Sequence, residues 1–223
     1  MLAVSMAFAR GRILDLQDRV TELLGTYVGG SVKDKLLDSR HPRSQRKVAT
    51  ILFSDIRSFT SMSEKSSPEE IVKFLNDYFT LWDEAVTANG GWIDKFIGDA
   101  VMAVFDKGTE EENASSAISC ANRVFTLLPR IKNGIFENGN IGVGIHSGEL
   151  VMGDVGSASR RNFTVIGDTV NAASRLEGLC KEYGVTLIVS ETVQNLAGSS
   201  YGLGCLGEAE IRGKTEKMKI FGR

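Results

Sequence analysis

The run "WIDKFIGDAVMAVF", Trp92 to Phe105, does more than any other stretch to limit what this chain can fold into. Its two β-rich halves are separated only by Gly98-Asp99. A two-residue connection between such runs forces them to be neighbouring antiparallel strands. An apolar run, "KVATILFS", comes before this hairpin and reads as a buried strand. A helix stands between them: Ser67-Pro68-Glu69-Glu70 carries the residues of a capping box with proline at the first helical position. Ile71, Leu75, Tyr78, Trp82 and Ala85 then mark one face, and Asn89-Gly90-Gly91 ends the helix.

After the hairpin come a helix from about Glu110 to Leu128 and a strand at "IGVGIHSG". The order strand, helix, hairpin, helix, strand predicts an α+β fold of the ferredoxin-like, βαββαβ type, with helices on one face of the sheet. Beyond it the pattern predicts a hairpin with a Gly/Ser-rich tip in "ELVMGDVGSASRRNFTVIG". A helix follows at "DTVNAASRLEGLCKEYG", a strand at "VTLIVS", and a final strand pair in "EAEIRGKTEKMKIFGR".

The first 46 residues read differently. Ile13, Leu16, Val20, Leu23 and Tyr27 repeat at alternating steps of three and four, an a/d stripe lasting about two heptads. It suits either a coiled-coil-like linker or a helix packed on its own domain. Gly29-Gly30 ends it, Ser31 and Asp34 mark a second short helix through Leu37, and "DSRHPRSQRK" is a polar, basic connector. The organisation expected is a helical linker over 1–46 and a second domain over 47–223. The apolar start, "MLAVSMAFAR", falls far short of the ~20 residues that span a bilayer. It reads as ordinary helix or as the end of a membrane helix, so an upstream membrane or sensor region remains open.

Formal net charge of −2 gives no reason to expect a nucleic-acid partner. Cys120, Cys180 and Cys205 are odd in number and widely spaced, which speaks against a disulfide framework and for a reducing, cytoplasmic setting. Buried thiols are the expected role for all of them.

The chemistry begins where "ILFSDIRSFT" ends an apolar strand on Asp55. Asp99 sits in the turn of the hairpin that can pair beside it. Two carboxylates at neighbouring strand ends make an oxygen-rich site suited to Mg²⁺ or Mn²⁺. The loop from Ile56 through Phe59 and Thr60 can turn backbone N–H groups toward phosphate oxygens. Asn171 and Arg175, four apart in "TVNAASR", share one helix face. His146, on an apolar strand, reads as a packed core histidine.

"LFSDIRSFT", "DKFIGDAVMAVF", "VGIHSGELVMGDVGS" and "FTVIGDTVNAASRLE" together resemble the class III nucleotide cyclase catalytic domain, over roughly Lys47 to Phe221. "LLGTYVGGSVKDKLL" is similar to the linker before this domain in bacterial receptor-type cyclases. The resemblance implies conversion of a nucleoside triphosphate to its cyclic monophosphate and pyrophosphate, in a homodimer with shared sites. It makes Asp55 and Asp99 the metal-binding aspartates, with Ile56 lending its carbonyl, for two Mg²⁺ or Mn²⁺ ions per site. Asn171 and Arg175 become the pair that orients the ribose and meets charge at the α-phosphate. Arg212 aligns with a triphosphate-binding lysine, with Lys214 a close alternative. Arg160 and Arg161 lie at the hairpin tip, where reach to pyrophosphate and simple solvation both fit. Arg57 has no role in the family pattern and reads as a solvated turn residue.

Lys95 and Thr164 fall where the family selects its base. Lys95 can donate to adenine N1 and Thr164 can accept from the 6-amino group, whereas a guanine site would want a carboxylate. This Lys/Thr pairing resembles the class IIIb subgroup, whose members often respond to bicarbonate, and favours ATP. In the resulting dimer, one chain supplies Asp55 and Asp99, the other Lys95, Thr164, Asn171, Arg175 and Arg212. The alternatives are a guanylate cyclase and a catalytically silent nucleotide-binding dimerisation domain. A diguanylate cyclase is disfavoured, because "FIGDAV" stands where its hairpin motif would be.

Overall fold

The structure is a computed structural model that describes residues 12, 16–22, 44–131, 140–210 and 217–223. It divides into two units, Met1–Arg43 and Ser44–Arg223. In the first, residues 16–22 are helical, with Leu16 and Val20 of the apolar stripe exposed. Ile13, Leu23 and Tyr27 lie outside the described residues, as does the short helix expected around Asp34.

The second unit is built on one mixed sheet. Its elements run β1 (Ser44–Ile56), α1 (Phe59–Ser63), α2 (Pro68–Ala88), β2 (Trp92–Ile97), β3 (Ala100–Phe105), α3 (Glu110–Leu127), β4 (Ile141–Gly156), β5 (Arg161–Ile166), α4 (Asp168–Tyr183), β6 (Leu187–Ser190), α5 (Glu191–Ala197), β7 (Gly204–Ala209) and β8 (Met218–Gly222). The strand order is β2-β3-β1-β4-β6-β8-β7, with β5 pairing separately with β4. Within β2-β3-β1-β4 every neighbouring pair is antiparallel, the split βαββαβ arrangement read from the sequence, and β6 then joins β4 in parallel. β1 starts at Ser44, so part of the expected polar connector is strand, laddered from Ser44 opposite Gly153.

Local sequence explains most of these boundaries. The Ser67 side chain accepts from the Glu70 N–H while the Glu70 carboxylate accepts from Ser67 N–H, a complete capping box with Pro68 behind it. Thr109 and Glu112 close the same device on α3. α2 buries Phe74, Tyr78, Leu81, Trp82, Ala85 and Val86, so its inner face is rotated from the expected stripe, leaving Ile71 and Leu75 half-buried.

The strand expected at "IGVGIHSG" and the first arm of the following hairpin are one continuous strand. The 16 residues of β4 pair with β1 along one edge. On the other edge they pair with β6 near residues 143–145 and with β5 from 151 to 156. α5 is a helix that the sequence patterning missed.

Helices cover both faces of the sheet, not one. Leu52 and Ile56 of β1, Ile141, Val143 and Ile145 of β4, and Leu187 and Val189 of β6 pack with α2, α3 and Val193 of α5. Ile188 of β6 and Ile220 of β8 pack instead with Ala172, Leu176 and Cys180 of α4. Successive strand residues point to opposite faces, so α4 lies on the other side. Gly142 and Gly144 make room for it: a Cβ on Gly144 would lie 2.1 Å from the Glu177 nitrogen and 2.4 Å from the Ala173 oxygen, both backbone atoms of α4. Among the described residues, no helix is long and apolar enough to cross a membrane.

Candidate active site

The end of β1 and the β2–β3 turn meet as the sequence suggested. The Ile56 N–H donates to Asp99 Oδ2 at 3.1 Å, fastening the turn to the strand end that carries Asp55. Gly98 makes the turn possible with φ 63° and open space around its α-carbon. Partial burial raises the pKa of Asp55 above the ordinary carboxylate value, the Asp99 charge raises it further, and Arg57 pulls it back. Burial also raises Asp99, against the Ile56 N–H, which lowers it. Two carboxylates that crowd each other call for a cation between them. No group of three or more His, Cys, Asp or Glu able to hold a metal occurs among the described residues. The donors that the family resemblance implies are the two aspartates and the Ile56 carbonyl, a set that would suit Mg²⁺, an ion that keeps waters and substrate phosphates as its remaining ligands.

The chain leaves β1 through Ser58, whose φ of 59° is the left-handed conformation for a non-glycine residue. Such a residue costs on the order of 1–3 kcal/mol and tends to occur where geometry matters. α1 follows at once, with Thr60 exposed and Phe59 packed partly against the core.

Arg57 is not a solvated turn residue. Its side chain is 22% exposed, and Nη1 lies 3.3 Å from Glu177 Oε1 on α4 while Nη2 donates to the Glu177 carbonyl at 3.2 Å. Asp55 pairs with Gly142 across the β1–β4 ladder, so both face α4. The guanidinium of Arg57 fills the space where a Gly142 side chain would stand. Glu177 is in turn pushed up to about 7, chiefly by burial, with Arg57 opposing and Asp55 and Asp99 adding to the rise. Neither Arg57 nor Glu177 carried a sequence signal; the contact joins residues 120 positions apart.

α4 presents Asn171 at the mouth of a groove lined by Val165, Ile166, Gly167, Asp168 and Val170. Arg175, one turn further along, is half-buried, and its Nη1 is shut off from water with no hydrogen-bond acceptor among the described residues. A buried guanidinium N–H without an acceptor is expensive, and an anionic oxygen is its natural complement.

Lys95 and Thr164 come together within one chain. Lys95 Nζ donates to Thr164 Oγ1 at 3.0 Å. β2 and β5 have three strands between them along the sheet path, yet their side chains meet: Trp92 and Phe163 also stack obliquely, centroids 6.0 Å apart. Asp94, which the sequence patterning did not single out, completes a triangle. Thr164 Oγ1 donates to Asp94 Oδ2 at 2.9 Å, and Lys95 Nζ lies 3.1 Å from the same oxygen. Burial pushes Asp94 up, while Lys95 and Thr164 pull it back.

Arg212 and Lys214 lie outside the described residues. Arg160 and Arg161 are exposed at the β4–β5 tip, where the Arg161 Nε reaches the Ser157 carbonyl at 3.4 Å. His146 is buried, its Nδ1 2.8 Å from the Ser190 hydroxyl. Cys120 and Cys180 are buried as expected, their thiols pushed up to about 12 and about 11 by burial. Cys205 is exposed instead, because it stands on β7, at the outer edge of the sheet.

A strand-end carboxylate pair, a helix carrying an amide and a guanidinium with an unsatisfied N–H, and a separate Lys/Thr/Asp cluster are the polar groupings that the described residues form. Residues 42–222 match the family described as the adenylate and guanylate cyclase catalytic domain, and the chain belongs to that family. It is 43% identical over 187 residues to an adenylate cyclase of Anabaena cylindrica, covering 77% of this chain and 36% of that one. The adenylyl cyclase CyaB of P. aeruginosa has a similar structure, with a TM-score of 0.74 and 29% identity over 81% of this chain and 95% of that one. The guanylyl cyclase Cya2 is similar as well, with a TM-score of 0.70 and 31% identity over 81% and 93%. The chain spans well under half the length of the curated relatives it matches.

Proposed function

We propose that this chain is an adenylate cyclase catalytic domain that converts ATP to 3′,5′-cyclic AMP and pyrophosphate in a homodimer with two shared sites. The observation that carries the choice of base is the Lys95–Thr164 contact at 3.0 Å, a donor beside an acceptor at one point. Adenine offers an acceptor at N1 beside a donor at its amino group, the matching order; guanine offers a carbonyl beside a donor. The family resemblance to adenylate cyclases at 43% identity supports the same reading.

Asp55, Asp99 and the Ile56 carbonyl would hold two Mg²⁺ or Mn²⁺ ions. When bound, these supply Lewis acidity for the ribose 3′-hydroxyl and charge neutralisation for the triphosphate. In the reaction, the 3′-oxygen attacks the α-phosphorus as its proton passes to water, and the bond from the α-phosphorus to the oxygen bridging to the β-phosphate breaks to release pyrophosphate. Phe59 and Thr60 stand at the loop where backbone N–H groups approach the phosphates. Asn171 orients the ribose. Arg175 offers its guanidinium to the oxygens of the α-phosphate as charge builds, and losing one such donor costs on the order of a hundredfold or more. Arg212, or Lys214 beside it, is the further cation proposed for the triphosphate.

The dimer is supported by where the exposed apolar residues fall. Phe96 and Ile97 on β2, Val151 and Val155 on β4, and Ile166 on β5 are each more than 40% exposed; β2 and β5 carry Lys95 and Thr164, and β4 pairs with β5. A second copy would cover them and bring its own carboxylate pair to this chain's base pocket. The residues before Ser44 are proposed to link this domain to an upstream input.

Purified protein given ATP or GTP with Mg²⁺ or Mn²⁺ should form cyclic AMP far faster than cyclic GMP, and chelation should stop it. Preferential cyclic GMP would show a guanylate cyclase. No product from a verified dimer would show a silent nucleotide-binding domain.

A further inference from the structure

We propose that Asp94 is the residue that sets base selectivity, by accepting the hydrogen bond donated by the Thr164 hydroxyl and so leaving Thr164 only as an acceptor toward the base. This rests on the adenylate cyclase reading above.

A threonine hydroxyl by itself does not choose between adenine and guanine, because it donates as readily as it accepts. What decides is where its single proton goes. Of the two polar groups bonded to Thr164 Oγ1, Lys95 is an ammonium that can only donate, and it does so at 3.0 Å. The other is Asp94, whose Oδ2 accepts the hydroxyl's hydrogen bond at 2.9 Å. Thr164 is 6% exposed and the Asp94 side chain fully buried, so water does not compete for this bond. The remaining lone pair of Oγ1 then faces outward as an acceptor, suited to the 6-amino group of adenine. Facing a guanine, it would meet the 6-oxo group, acceptor against acceptor.

The backbone is arranged for this. Consecutive residues of a regular strand point to opposite faces, which would separate Asp94 from Lys95. Here Ile93 pairs with Ala103 and Lys95 with Met102, so the register slips by one residue and Asp94 is the extra one. Such bulges redirect side chains and recur beside active sites. The slip lets Asp94 and Lys95 converge on Thr164, with 3.1 Å between carboxylate and ammonium. A buried carboxylate is costly unless paired, and the side chains that pair with Asp94 are the base-reading residues themselves, with the Val165 N–H as a further donor.

Asp94→Asn keeps the shape but removes the obligate acceptor, since the amide can turn its NH₂ toward Thr164 and leave the hydroxyl proton free. The ratio of kcat/KM for ATP to that for GTP should fall at least tenfold, mainly through a higher KM for ATP, with the melting temperature near wild type. Thr164→Val, which can neither donate nor accept, should lower the same ratio, and adding Asp94→Asn to it should change the ratio no further. A merely structural role would lower both substrates alike. An unchanged ratio in folded Asp94→Asn, with a selective wild type, overturns the role of Asp94 alone. If Asp94→Asn does not fold, an unchanged ratio in Thr164→Val overturns it instead. A wild type without ATP preference overturns the adenylate cyclase reading and this inference together.

Discussion

Gly144→Ala tests whether the distance between β4 and α4 sets the reaction geometry. The added Cβ would lie 2.1 Å from the Glu177 nitrogen, 2.4 Å from the Ala173 oxygen and 2.8 Å from the Glu177 α-carbon. All are main-chain atoms of α4, so no rotamer change relieves the overlap. The helix must withdraw by roughly 1 Å, and it takes Asn171 and Arg175 with it. A displacement of about 1 Å at reacting groups costs on the order of a hundredfold, so kcat/KM for ATP should fall about that far. Overpacking costs typically 1–3 kcal/mol, offset by the ~0.4–1 kcal/mol that alanine returns through the unfolded chain. A net loss of about 1–2 kcal/mol lowers the melting temperature by roughly 2–8 °C for a domain of this size.

Gly178, on the exposed side of the same helix, has nothing within 4 Å of an added Cβ. Gly178→Ala should therefore raise stability by about 0.5–1 kcal/mol and leave turnover unchanged. Pyrophosphate release and thermal melting, measured on both variants, read the two effects. Wild-type kcat/KM in Gly144→Ala, or an equal loss in Gly178→Ala, would overturn this account of the strand–helix spacing.

Mixing tests the shared site. Asp55→Ala and Arg175→Ala should each be inactive alone, whereas subunit exchange at equal amounts should restore about a quarter of wild-type activity, since half the dimers are mixed and each has one intact site; no recovery in verified heterodimers counts against sharing. Glu177 predicts a pH effect. Its carboxyl is held near 7 in the folded chain against an ordinary 4.5, so the folded state binds more protons between those values. Wild-type stability from this group is present below about pH 4.5 and is lost as pH rises toward 7. With chelator present, the melting temperature of Glu177→Gln relative to wild type should climb between pH 5 and 8; a flat or falling difference refutes it.

Local patterns in the sequence were enough for the elements nearest the carboxylates. The Gly98-Asp99 turn, the Ser67–Glu70 capping box and the continuous buried run of β1 from Ala49 to Leu52 are each written in a few adjacent residues. Asp55 and Asp99 could be read as neighbouring strand-end and turn carboxylates because a two-residue turn makes β2 and β3 adjacent; that β3 is the strand beside β1 came from the structure. The β4 strand was harder. The segment around Gly142 and Gly144 read simply as a strand, yet their missing side chains are what admit α4 onto the second face of the sheet. Arg57 looked idle for the same reason: its partner, Glu177, is far away in sequence and local spacing says nothing about it.

The kinds of chemical group present, and the order of strands and helices that carry them, were legible in the sequence without any structure. The wiring of the base-reading groups was not, and it emerged only from the packed sheet. A strand's period of two assigns Asp94 and Lys95 to opposite faces, and a one-residue slip of register against Met102 reverses that assignment. Register depends on the summed packing of the neighbouring strands, so no reading of "WIDKFIGD" alone could have shown Asp94 turned toward Thr164.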